Sequence, residues 1–249
     1  MGNVDLSDRV VAVTGASSGI GEATALACAG AGAAVALAAR RSDRIEALAE
    51  RIVGEGGRAI AVQTDVGEES QAQVFVQRTH AELGRLDVLV NNAGVMLLGP
   101  IEGAPTEEWR QMIHANVFGV LYCTHAALPL MREQGSGHIV NVSSVAGRVA
   151  RQGSGVYNLT KFGVGAFSES LRQEAVPIGV RVTLIEPGAV ATELAGHNRP
   201  EVREQIAKRF GGFEILSAED IAGAVLYAIG QPEHVAVNEI LVRPRGQVG

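Results

Sequence analysis

Cysteines and metal-binding patterns are scarce in this sequence. Its two cysteines, Cys28 and Cys123, lie in apolar runs of helical spacing. This placement predicts buried thiols in a reducing compartment rather than a disulfide. The six histidines show neither the i, i+4 nor the His-x-His spacing that protein zinc sites use. We therefore predict no metal site.

The sequence also lacks a basic excess and a long apolar run. It has 21 basic and 27 acidic residues, a formal net charge of −6, and no block rich in lysine or arginine. These properties argue against binding to nucleic acid or to an anionic membrane. No apolar stretch reaches the roughly 20 residues of a membrane span, and the polar segment 1–9 does not resemble a signal peptide. We expect a cytoplasmic protein whose partner is a small molecule.

Aromatic residues make up only 4% of the chain, whereas hydrophobic residues make up 47% and glycine contributes 31 residues. A chain of 249 residues with this composition suits one sizeable α/β domain with closely packed layers. The sequence contains no internal repeat, linker or low-complexity segment. We therefore predict a single domain over residues 1–249.

Short apolar runs alternate with longer segments of helical period along the whole chain. Strands are predicted at 10–14, 34–39, 59–63, 88–91, 138–142, 181–186 and 237–242. Helices are predicted at 20–31, 41–54, 68–83, 106–131, 154–176 and 218–230. Strands that are apolar throughout are covered on both faces. The pattern predicts an α/β fold of the Rossmann type, a doubly wound sheet of about seven parallel strands with helices on both faces.

One long segment interrupts this alternation. Residues 189–217, between the sixth and seventh strands, have only a weak helical pattern and contain several glycines and Pro200. Long connections in a compact domain are commonly functional. This one begins at the carboxyl end of a strand, where ligands bind in open α/β sheets. We predict a substrate loop here.

A glycine-rich motif directly follows the first strand and opens the first helix. It reads TGASSGIG from position 14. Gly15 permits a tight turn, Gly19 lets the backbone approach a pyrophosphate, and Gly21 lets the helix pack on the strand. The helix N-terminus offers free N–H groups to phosphates, and Ser17 and Ser18 add hydroxyl donors. The motif predicts a dinucleotide-binding site.

The same letters allow a different interpretation. The run from Gly15 to Gly19 matches G-x-S-x-G, the nucleophile elbow of α/β hydrolases. With Ser17 as nucleophile, Asp220 and His234 would complete a triad in the order Ser, Asp, His. A hydrolase sheet has several strands before its elbow, whereas only one precedes this motif. A serine hydrolase is therefore the less favoured alternative.

The end of the second strand indicates which dinucleotide binds. An acid at this position would bind the ribose hydroxyls of NAD, but the strand ends in Ala39, Arg40 and Arg41. A small side chain leaves room there, and two guanidinium groups match a 2′-phosphate. The sequence therefore predicts NADP(H). Asp65, after the third strand, is predicted to accept from the adenine amino group, with a turn-forming role as the alternative.

Four polar residues form a candidate catalytic group. Tyr157 and Lys161 are spaced i, i+4 on one helix face. The Lys161 ammonium is expected to lower the tyrosine pKa, which is ordinarily about 10. Ser144 ends an apolar strand, where its hydroxyl could hold a substrate oxygen. Asn116 is unusual inside a helix, and its side chain is expected to hold a water that links Lys161 to solvent.

With these residues the sequence resembles the short-chain dehydrogenase/reductase family in its single-domain form, over essentially the whole chain. The matching motifs are the glycine motif at 14–21, NNAG at 91–94, Asn116, Ser144, Tyr157-x-x-x-Lys161, and Pro187-Gly188 followed by Thr192. The resemblance implies a catalytic tetrad of Asn116, Ser144, Tyr157 and Lys161. Tyr157 would transfer the proton, and Lys161 would also bind the nicotinamide ribose. Arg40 falls where NADP-preferring members carry their phosphate-binding arginine.

The resemblance and the motifs together give the remaining site residues. Cofactor contacts are expected for Gly15, Ser17, Ser18, Gly19, Ile20, Gly21, Arg40, Arg41, Asp65, Val66, Asn91, Ala93, Gly94, Tyr157, Lys161, Pro187, Gly188, Val190 and Thr192. Substrate contacts are expected for Met96, Val145, Val149 and Ala189. Arg148, Arg151 and His197 either bind a substrate carboxylate or are solvated surface charges.

Within the family, the stretches 91–100, 162–174, 185–194 and 238–244 are similar to the subgroup of clavulanate dehydrogenase and NADP-dependent serine and 3-hydroxy acid dehydrogenases. The last stretch, NEILVRP, departs from the more usual Asp-Gly-Gly ending of the family, which supports the subgroup but argues against the usual contacts of the family's tail. We transfer no substrate from the subgroup. The resemblance, together with the long Ala/Gly-rich helices at 106–131 and 154–176, leads us to expect a homotetramer.

The predicted activity is hydride transfer between NADP(H) and a carbonyl or secondary alcohol, with Tyr157 as acid or base. The non-enzymatic alternative is an NADP-binding regulatory protein without turnover, because one fold hosts many functions. A regulator of that kind has no need of the tetrad, so the enzyme is favoured.

Overall fold

The computed structural model describes residues 4–248, so Met1–Asn3 and Gly249, at the two ends of the predicted domain, lie outside it. Seven parallel strands form one sheet: β1 (Val10–Thr14), β2 (Ala34–Ala39), β3 (Arg58–Gln63), β4 (Val88–Asn91), β5 (Gly137–Val142), β6 (Val180–Pro187) and β7 (Glu239–Val242). Their bounds differ from those predicted by at most two residues at either end. The Rossmann-type α/β fold is therefore confirmed.

The order of the strands in the sheet determines where ligands can bind. The order is β3-β2-β1-β4-β5-β6-β7, and Val11 of β1 is aligned with Val35 of β2 and Val88 of β4. The winding direction reverses between β1 and β4. At such a reversal the connections leave the sheet on opposite faces, which opens a crevice at the carboxyl ends of the strands.

Helices cover both faces of the sheet. They are α1 (Gly19–Gly30), α2 (Ser42–Gly54), α3 (Glu69–Leu83), α4 (Thr106–Ile113), α5 (Gly119–Gln134), α6 (Gly155–Ala175), α7 (Pro200–Phe210) and α8 (Ala218–Ile229). One apolar core packs α1, α2 and α8 on one face, and a second packs α3, α5 and α6 on the other. Two-sided coverage explains why β1, β2 and β4 are buried throughout. Among the described residues, no helix has the length and apolarity of a membrane span.

The predicted helix at 106–131 is divided in the structure. A π-helical segment, His114–Phe118, separates α4 from α5. Such segments are rare and are frequent at functional sites. This one carries Asn116 into the interior, where it is buried. The apolar spacing is helical on both sides of the segment, so the sequence pattern gave no sign of the wider turn.

The predicted substrate loop at 189–217 is more ordered than its sequence indicates. It contains a short 3-10 helix, Glu193–His197, and the helix α7, which begins at Pro200. Proline suits the first position of a helix because its missing N–H would have no helical partner there. Only Val202 of α7 is buried. A helix that buries one side chain has no strong apolar period, which explains the weak pattern.

His138 on β5 is a buried base at the other end of the sheet. Its Nε2 lies 2.7 Å from Thr183 Oγ1, and that hydroxyl donates to the Val237 carbonyl oxygen at 2.6 Å. The ring is therefore the neutral Nε2–H tautomer, and its buried Nδ1 has no hydrogen-bond partner among the described residues. Burial, with smaller contributions from the charges of Arg181 and Arg9, lowers the pKa of His138 to about 3.

We predict that His138 makes the fold sensitive to acid. The unfolded chain protonates this ring near its ordinary pKa of about 6.5, whereas the folded chain excludes the proton down to about 3. The stabilisation from the neutral ring is complete above the pKa of the unfolded state. It is lost as the pH falls from that pKa towards the pKa of the folded state. At two pH units below the pKa of the unfolded state, the free energy of unfolding has fallen by on the order of 2–3 kcal/mol.

Urea unfolding between neutral pH and about pH 4.5 measures this effect, with the window set by the unfolded pKa. His138→Gln keeps an N–H donor for Thr183 but cannot titrate, so its stability should fall less steeply with acid than that of the wild type. His234→Gln removes an exposed histidine and is the matched control. Equal pH slopes for the wild type and His138→Gln would contradict the prediction.

Candidate active site

A large cleft of about 1290 Å³ lies at the carboxyl ends of the strands. Residues directly following β1, β3, β4, β5 and β6 line it, together with the N-terminal turn of α1 and much of the 189–217 segment. The cleft therefore occupies the crevice that the strand order creates. The predicted substrate loop forms part of its wall.

The glycine-rich motif forms the turn between β1 and α1. Gly15 and Gly19 have φ angles of +68° and +57°, a region that favours glycine. A Cβ atom on Gly21 would lie 2.3 Å from the Gly15 carbonyl oxygen, so Gly21 lets α1 pack against the turn as predicted. Ser18 precedes α1 without capping it through its side chain. The first N–H groups of α1 are therefore available to an anion in the cleft.

Arg41 reaches across this turn. Its Nε and Nη2 donate to Ser17 Oγ at 3.1 and 2.9 Å, and Nη2 also donates to Ser18 Oγ at 2.8 Å. Its Nη1 pairs with Glu193 at 2.8 Å, and Glu193 pairs in turn with Arg44 at 2.8 Å. Hydrogen bonds from Arg44 and Arg41 lower the pKa of Glu193 to about 2. The start of the 189–217 segment is thereby tied to the loop after β2.

The residues at this end of the cleft fit a phosphorylated dinucleotide. Arg40, which is exposed, lines the cleft beside the small side chain of Ala39, and β2 ends without an acid. Asp65 also lines the cleft. Its Oδ1 accepts from the Gly67 N–H at 3.0 Å, which is the turn-forming contact considered as the alternative, and the contact with the adenine amino group stays a prediction. The open N-terminus of α1 and the arginines together offer the donors that phosphate groups require.

Ser144, Tyr157 and Lys161 come together in the same cleft. The Tyr157 hydroxyl lies close enough to Ser144 for that side chain to lower the tyrosine pKa, and the Lys161 ammonium lies 5.8 Å from the centre of the Tyr157 ring. Lys161 Nζ also donates to the Val142 carbonyl oxygen at 3.0 Å. The Ser144 hydroxyl accepts from the Ala146 N–H at 3.1 Å. Three side chains from two elements are thus fixed in one place.

The electrostatics of this group differ from the sequence-based expectation. Burial raises the pKa of Tyr157 to about 12, and the interaction with Ser144 opposes that rise. Burial also lowers the pKa of Lys161 to about 8. The expected lowering of the Tyr157 pKa by Lys161 is not found, because burial determines the direction of the shift and only Ser144 opposes it. At neutral pH the Tyr157 hydroxyl is protonated, which is the state that a proton donor needs.

Asn116 holds the loop that follows β4. Its Oδ1 accepts from the Val95 N–H at 2.8 Å, and its Nδ2 donates to the Val95 carbonyl oxygen at 2.9 Å and to Thr160 Oγ1 at 3.2 Å. Both amide hydrogens are used by these contacts. The Asn116 side chain therefore has no N–H left to donate to the predicted water between Lys161 and solvent, so another group would have to donate to that water.

Most of the predicted site residues line this cleft. They are Gly15, Ser17, Ser18, Gly19, Ile20, Arg40, Arg41, Asp65, Val66, Ala93, Gly94, Met96, Ser144, Val145, Val149, Tyr157, Lys161, Pro187, Gly188, Ala189, Val190 and Thr192. The fold thus brings the expected cofactor and substrate contacts into one continuous space.

Three predicted site residues do not line the cleft: Gly21, Asn91 and Asn116. The side chain of Asn91 points into the interior, where its Nδ2 donates to Asn141 Oδ1 at 2.9 Å and to Thr124 Oγ1 at 3.1 Å. It therefore links β4 to β5 and α5 rather than reaching the cofactor side. The neighbouring Asn92 lines the cleft instead.

Of the three residues considered for a substrate carboxylate, Arg148 is already engaged. Its guanidinium donates to Glu186 at 2.6–2.8 Å and also pairs with Glu239. These hydrogen bonds raise the pKa of Arg148 above its ordinary value. Arg148 does not line the cleft, whereas Arg151 and His197 do. The structure therefore removes Arg148 from the candidates.

The structure also contradicts the serine hydrolase alternative. Ser17 Oγ accepts hydrogen bonds from Arg41, which is neither a base nor part of a triad. The Asp220 carboxylate accepts from the backbone N–H and hydroxyl of Ser217, at 2.8 and 3.0 Å, and so caps α8. Neither Asp220 nor His234 lines the cleft. The three residues are not brought together.

Two polar residues of the site were missed in the sequence. Asn158 Nδ2 donates to the carbonyl oxygens of Ala146 and Val149, at 2.6 and 3.0 Å, and so fixes the loop after Ser144. Gln247 lines the cleft, and its Oε1 accepts from the Ala189 N–H at 2.9 Å. An asparagine next to Tyr157 in an apolar helix could have indicated the first. Gln247 gives no local signal in the sequence, because its partner Ala189 is 58 residues away.

A Rossmann sheet with an open glycine turn and a Ser–Tyr–Lys group in one cleft is the arrangement expected of an oxidoreductase that uses a nicotinamide dinucleotide. The family model for short chain dehydrogenase matches residues 9–203. An uncharacterized oxidoreductase of Staphylococcus saprophyticus is 42% identical over 247 residues, which cover 98% of each chain. This chain therefore belongs to the short-chain dehydrogenase/reductase family and is an oxidoreductase.

Solved structures agree with this assignment. The closed form of a serine dehydrogenase complexed with NADP+ superposes with a TM-score of 0.90 at 34% identity, covering 96% of each chain. An alcohol dehydrogenase from the archaeon Thermococcus sibiricus, complexed with 5-hydroxy-NADP, has a TM-score of 0.86 at 31% identity, covering 97% of this chain and 98% of its own. Use of a nicotinamide dinucleotide is therefore supported for this chain.

Proposed function

We propose that this protein is an NADP(H)-dependent oxidoreductase that interconverts a carbonyl group and a primary or secondary alcohol. The observation that carries the proposal is the meeting of Ser144, Tyr157 and Lys161 in the cleft that the glycine turn opens, with the Lys161 ammonium 5.8 Å from the centre of the Tyr157 ring. Arg40 and Arg41 favour NADP(H) over NAD(H). When bound, the nicotinamide would supply a hydride to the substrate carbon or take one from it.

The side chains of this chain handle the oxygen and its proton. In reduction, the hydroxyls of Ser144 and Tyr157 hold the carbonyl oxygen, and Tyr157 donates its proton as charge develops there. The Lys161 ammonium, oriented by the Val142 carbonyl oxygen, stabilises the phenolate that remains. In oxidation the phenolate takes the proton back. Asn116 acts on this group by holding the loop after β4.

We propose that the apolar side of the cleft binds the substrate. Met96, Val145, Val149 and Ala189 line it near Ser144, and the 189–217 segment forms its cover. The names of two similar structures, a serine dehydrogenase and an alcohol dehydrogenase, support a substrate with an oxidisable hydroxyl group. The buried, unpaired thiols of Cys28 and Cys123 support the cytoplasm as the proposed location.

A panel of ketones, aldehydes and oxo acids, assayed with NADPH and with NADH, tests the proposed function. Loss of NADPH absorbance should accompany formation of the alcohol for at least one of these classes. Tight NADPH binding without turnover on any compound would favour the regulatory protein instead. Turnover with NADH alone would contradict the assignment of the cofactor.

We predict that the chain forms a homotetramer or, failing that, a dimer. Leu159 and Phe162 on α6 are 65% and 44% exposed, which is unusual for large apolar side chains on a long helix. Phe118 is 36% exposed and stacks on Tyr122 at the start of α5. Pairing of α5 and α6 between subunits would bury these groups.

Light scattering at micromolar concentration measures the mass. We expect a multiple of the 25.9 kDa of one chain. Leu159→Glu combined with Phe162→Glu should shift the wild-type mass towards a monomer, whereas Val53→Glu, at an exposed position on α2, should not. A monomeric wild type would contradict the prediction.

A further inference from the structure

The substrate side of the cleft, which the 189–217 segment covers, carries an excess of positive charge. The charged residues of this part are Arg151, Arg199, Glu201, Arg203 and Arg209, and His197 lies among them. Arg199 lies 3.9 Å from Glu108. Arg151 and Arg209 have no carboxylate partner among residues 4–248. Many other arginines of the structure do have such a partner, Arg148 among them.

Arg151 and Arg209 come from distant parts of the chain and are both held in place. The Arg151 N–H donates to Asn158 Oδ1 at 3.2 Å, and Asn158 is adjacent to Tyr157 on α6. The Arg209 guanidinium lies over the ring of Phe210, 5.3 Å from its centre. The first contact is made by the backbone N–H, so it fixes the main chain of Arg151 against the catalytic helix, whereas the second directs the charge of Arg209 along the end of α7.

The charge of Arg151 also acts on Arg209. Partial burial and the charge of Arg151 lower the pKa of Arg209, which means that the two like charges are near enough to repel. Like charges brought together without a counterion destabilise a site unless a ligand of opposite charge joins them. A planar anion between the two guanidinium groups would supply that charge and accept hydrogen bonds from both.

We propose that Arg151 and Arg209 form a subsite for a carboxylate group of the substrate, in the same cleft as Ser144 and Tyr157. The inference rests on the proposed function and narrows its substrate to oxo acids and hydroxy acids. The helix α7 ends at Phe210, beside Arg209, and directs the negative end of its dipole there. This end repels a phosphate more strongly than a carboxylate, because a phosphate carries more negative charge, so a carboxylate fits better. The same charges repel a cationic substrate.

The substrate test compares matched pairs of compounds with NADPH. A series of oxo acids, with the carboxylate one to four carbons from the carbonyl, is assayed beside the methyl ester of each acid. The wild type should prefer one or more acids over their esters in kcat/KM. In Arg151→Gln and in Arg209→Gln, the acid-to-ester ratio should fall roughly tenfold to a hundredfold, the value of a charge-assisted hydrogen bond. Raised salt should lower the same ratio in the wild type.

Lys208→Gln is the matched control, because Lys208 lies next to Arg209 on α7 but pairs with Glu204 and does not line the cleft. It should leave the ratio unchanged. Equal kcat/KM for acids and esters in the wild type, or equal ratios in all variants, would overturn the carboxylate subsite while leaving the proposed function intact. An oxoalkyl phosphate that is turned over better than the acid of the same length would also overturn it.

Failure of the proposed function gives a different result, which is no turnover of any acid or ester. Binding then decides the subsite. Titration calorimetry of the unreactive saturated acids into the NADP+-loaded protein should show binding to the wild type and to Lys208→Gln. The affinity should fall at least tenfold in Arg151→Gln and in Arg209→Gln, since each loses one charged contact. Equal affinities in all four proteins would overturn the subsite.

Discussion

Replacing Tyr157 with phenylalanine should abolish turnover and leave NADPH binding nearly unchanged. The substitution removes only the hydroxyl of a side chain that lines the cleft together with Ser144. Proton transfer by a positioned side chain is typically worth ~10²–10⁴-fold in rate. We therefore expect kcat to fall by this factor for every substrate. Steady-state kinetics and NADPH titration of the same preparation measure the two effects separately.

Tyr227→Phe is the matched control, because Tyr227 on α8 is 48% exposed and does not line the cleft. Its kcat should equal that of the wild type. A Tyr157→Phe variant that kept more than about a tenth of the wild-type kcat would mean that another group supplies the proton, since acid–base catalysis is worth more than that. A variant that lost NADPH binding as well would indicate a structural role for the hydroxyl.

The second large effect concerns the choice between NADPH and NADH. If Arg40 and Arg41 bind the 2′-phosphate, two charge-assisted contacts near solvent should favour NADPH by roughly a hundredfold in kcat/KM. Raised salt should reduce this preference, because the contact is ionic. Ala39→Asp combined with Arg40→Leu should invert it, since an acid at the end of β2 repels the phosphate and accepts from the ribose hydroxyls.

The measurement is kcat/KM for both cofactors at two salt concentrations. Arg51→Leu is the control, because Arg51 lies on α2 and pairs with Glu55 outside the cleft. It should keep the wild-type preference. Equal use of NADH and NADPH by the wild type would mean that Arg40 is a solvated surface charge and that Arg41 serves only Ser17, Ser18 and Glu193.

The strands and the catalytic residues were predictable because each leaves a local signal. Fully buried parallel strands such as β1 and β2 are continuous apolar runs, and their predicted bounds match the structure. The glycine turn lies between such a strand and a helix, which gives its residues a defined geometry. Tyr157 and Lys161 share a helix face by their spacing alone. These features depend on neighbours within a few residues.

The features that were missed depend on contacts between distant segments. Asn91 was expected at the cofactor, but Thr124 and Asn141 engage its side chain in the interior. The rise in the Tyr157 pKa follows from burial by the complete fold. Arg209 lines the same cleft as Arg151 only because α7 folds over that cleft. None of these contacts has a pattern in the sequence near the residue concerned.

Isotope transfer from the cofactor tests the central claim most directly. The wild-type protein is incubated with a reducible substrate and with NADPH that carries deuterium at both hydrogens of nicotinamide carbon 4, in ordinary water. Mass spectrometry then shows where the label lies in the alcohol formed. The proposed function predicts one deuterium on the carbinol carbon of each product molecule and no such product with Tyr157→Phe. An alcohol without deuterium, or equal product from Tyr157→Phe, would contradict hydride transfer assisted by Tyr157.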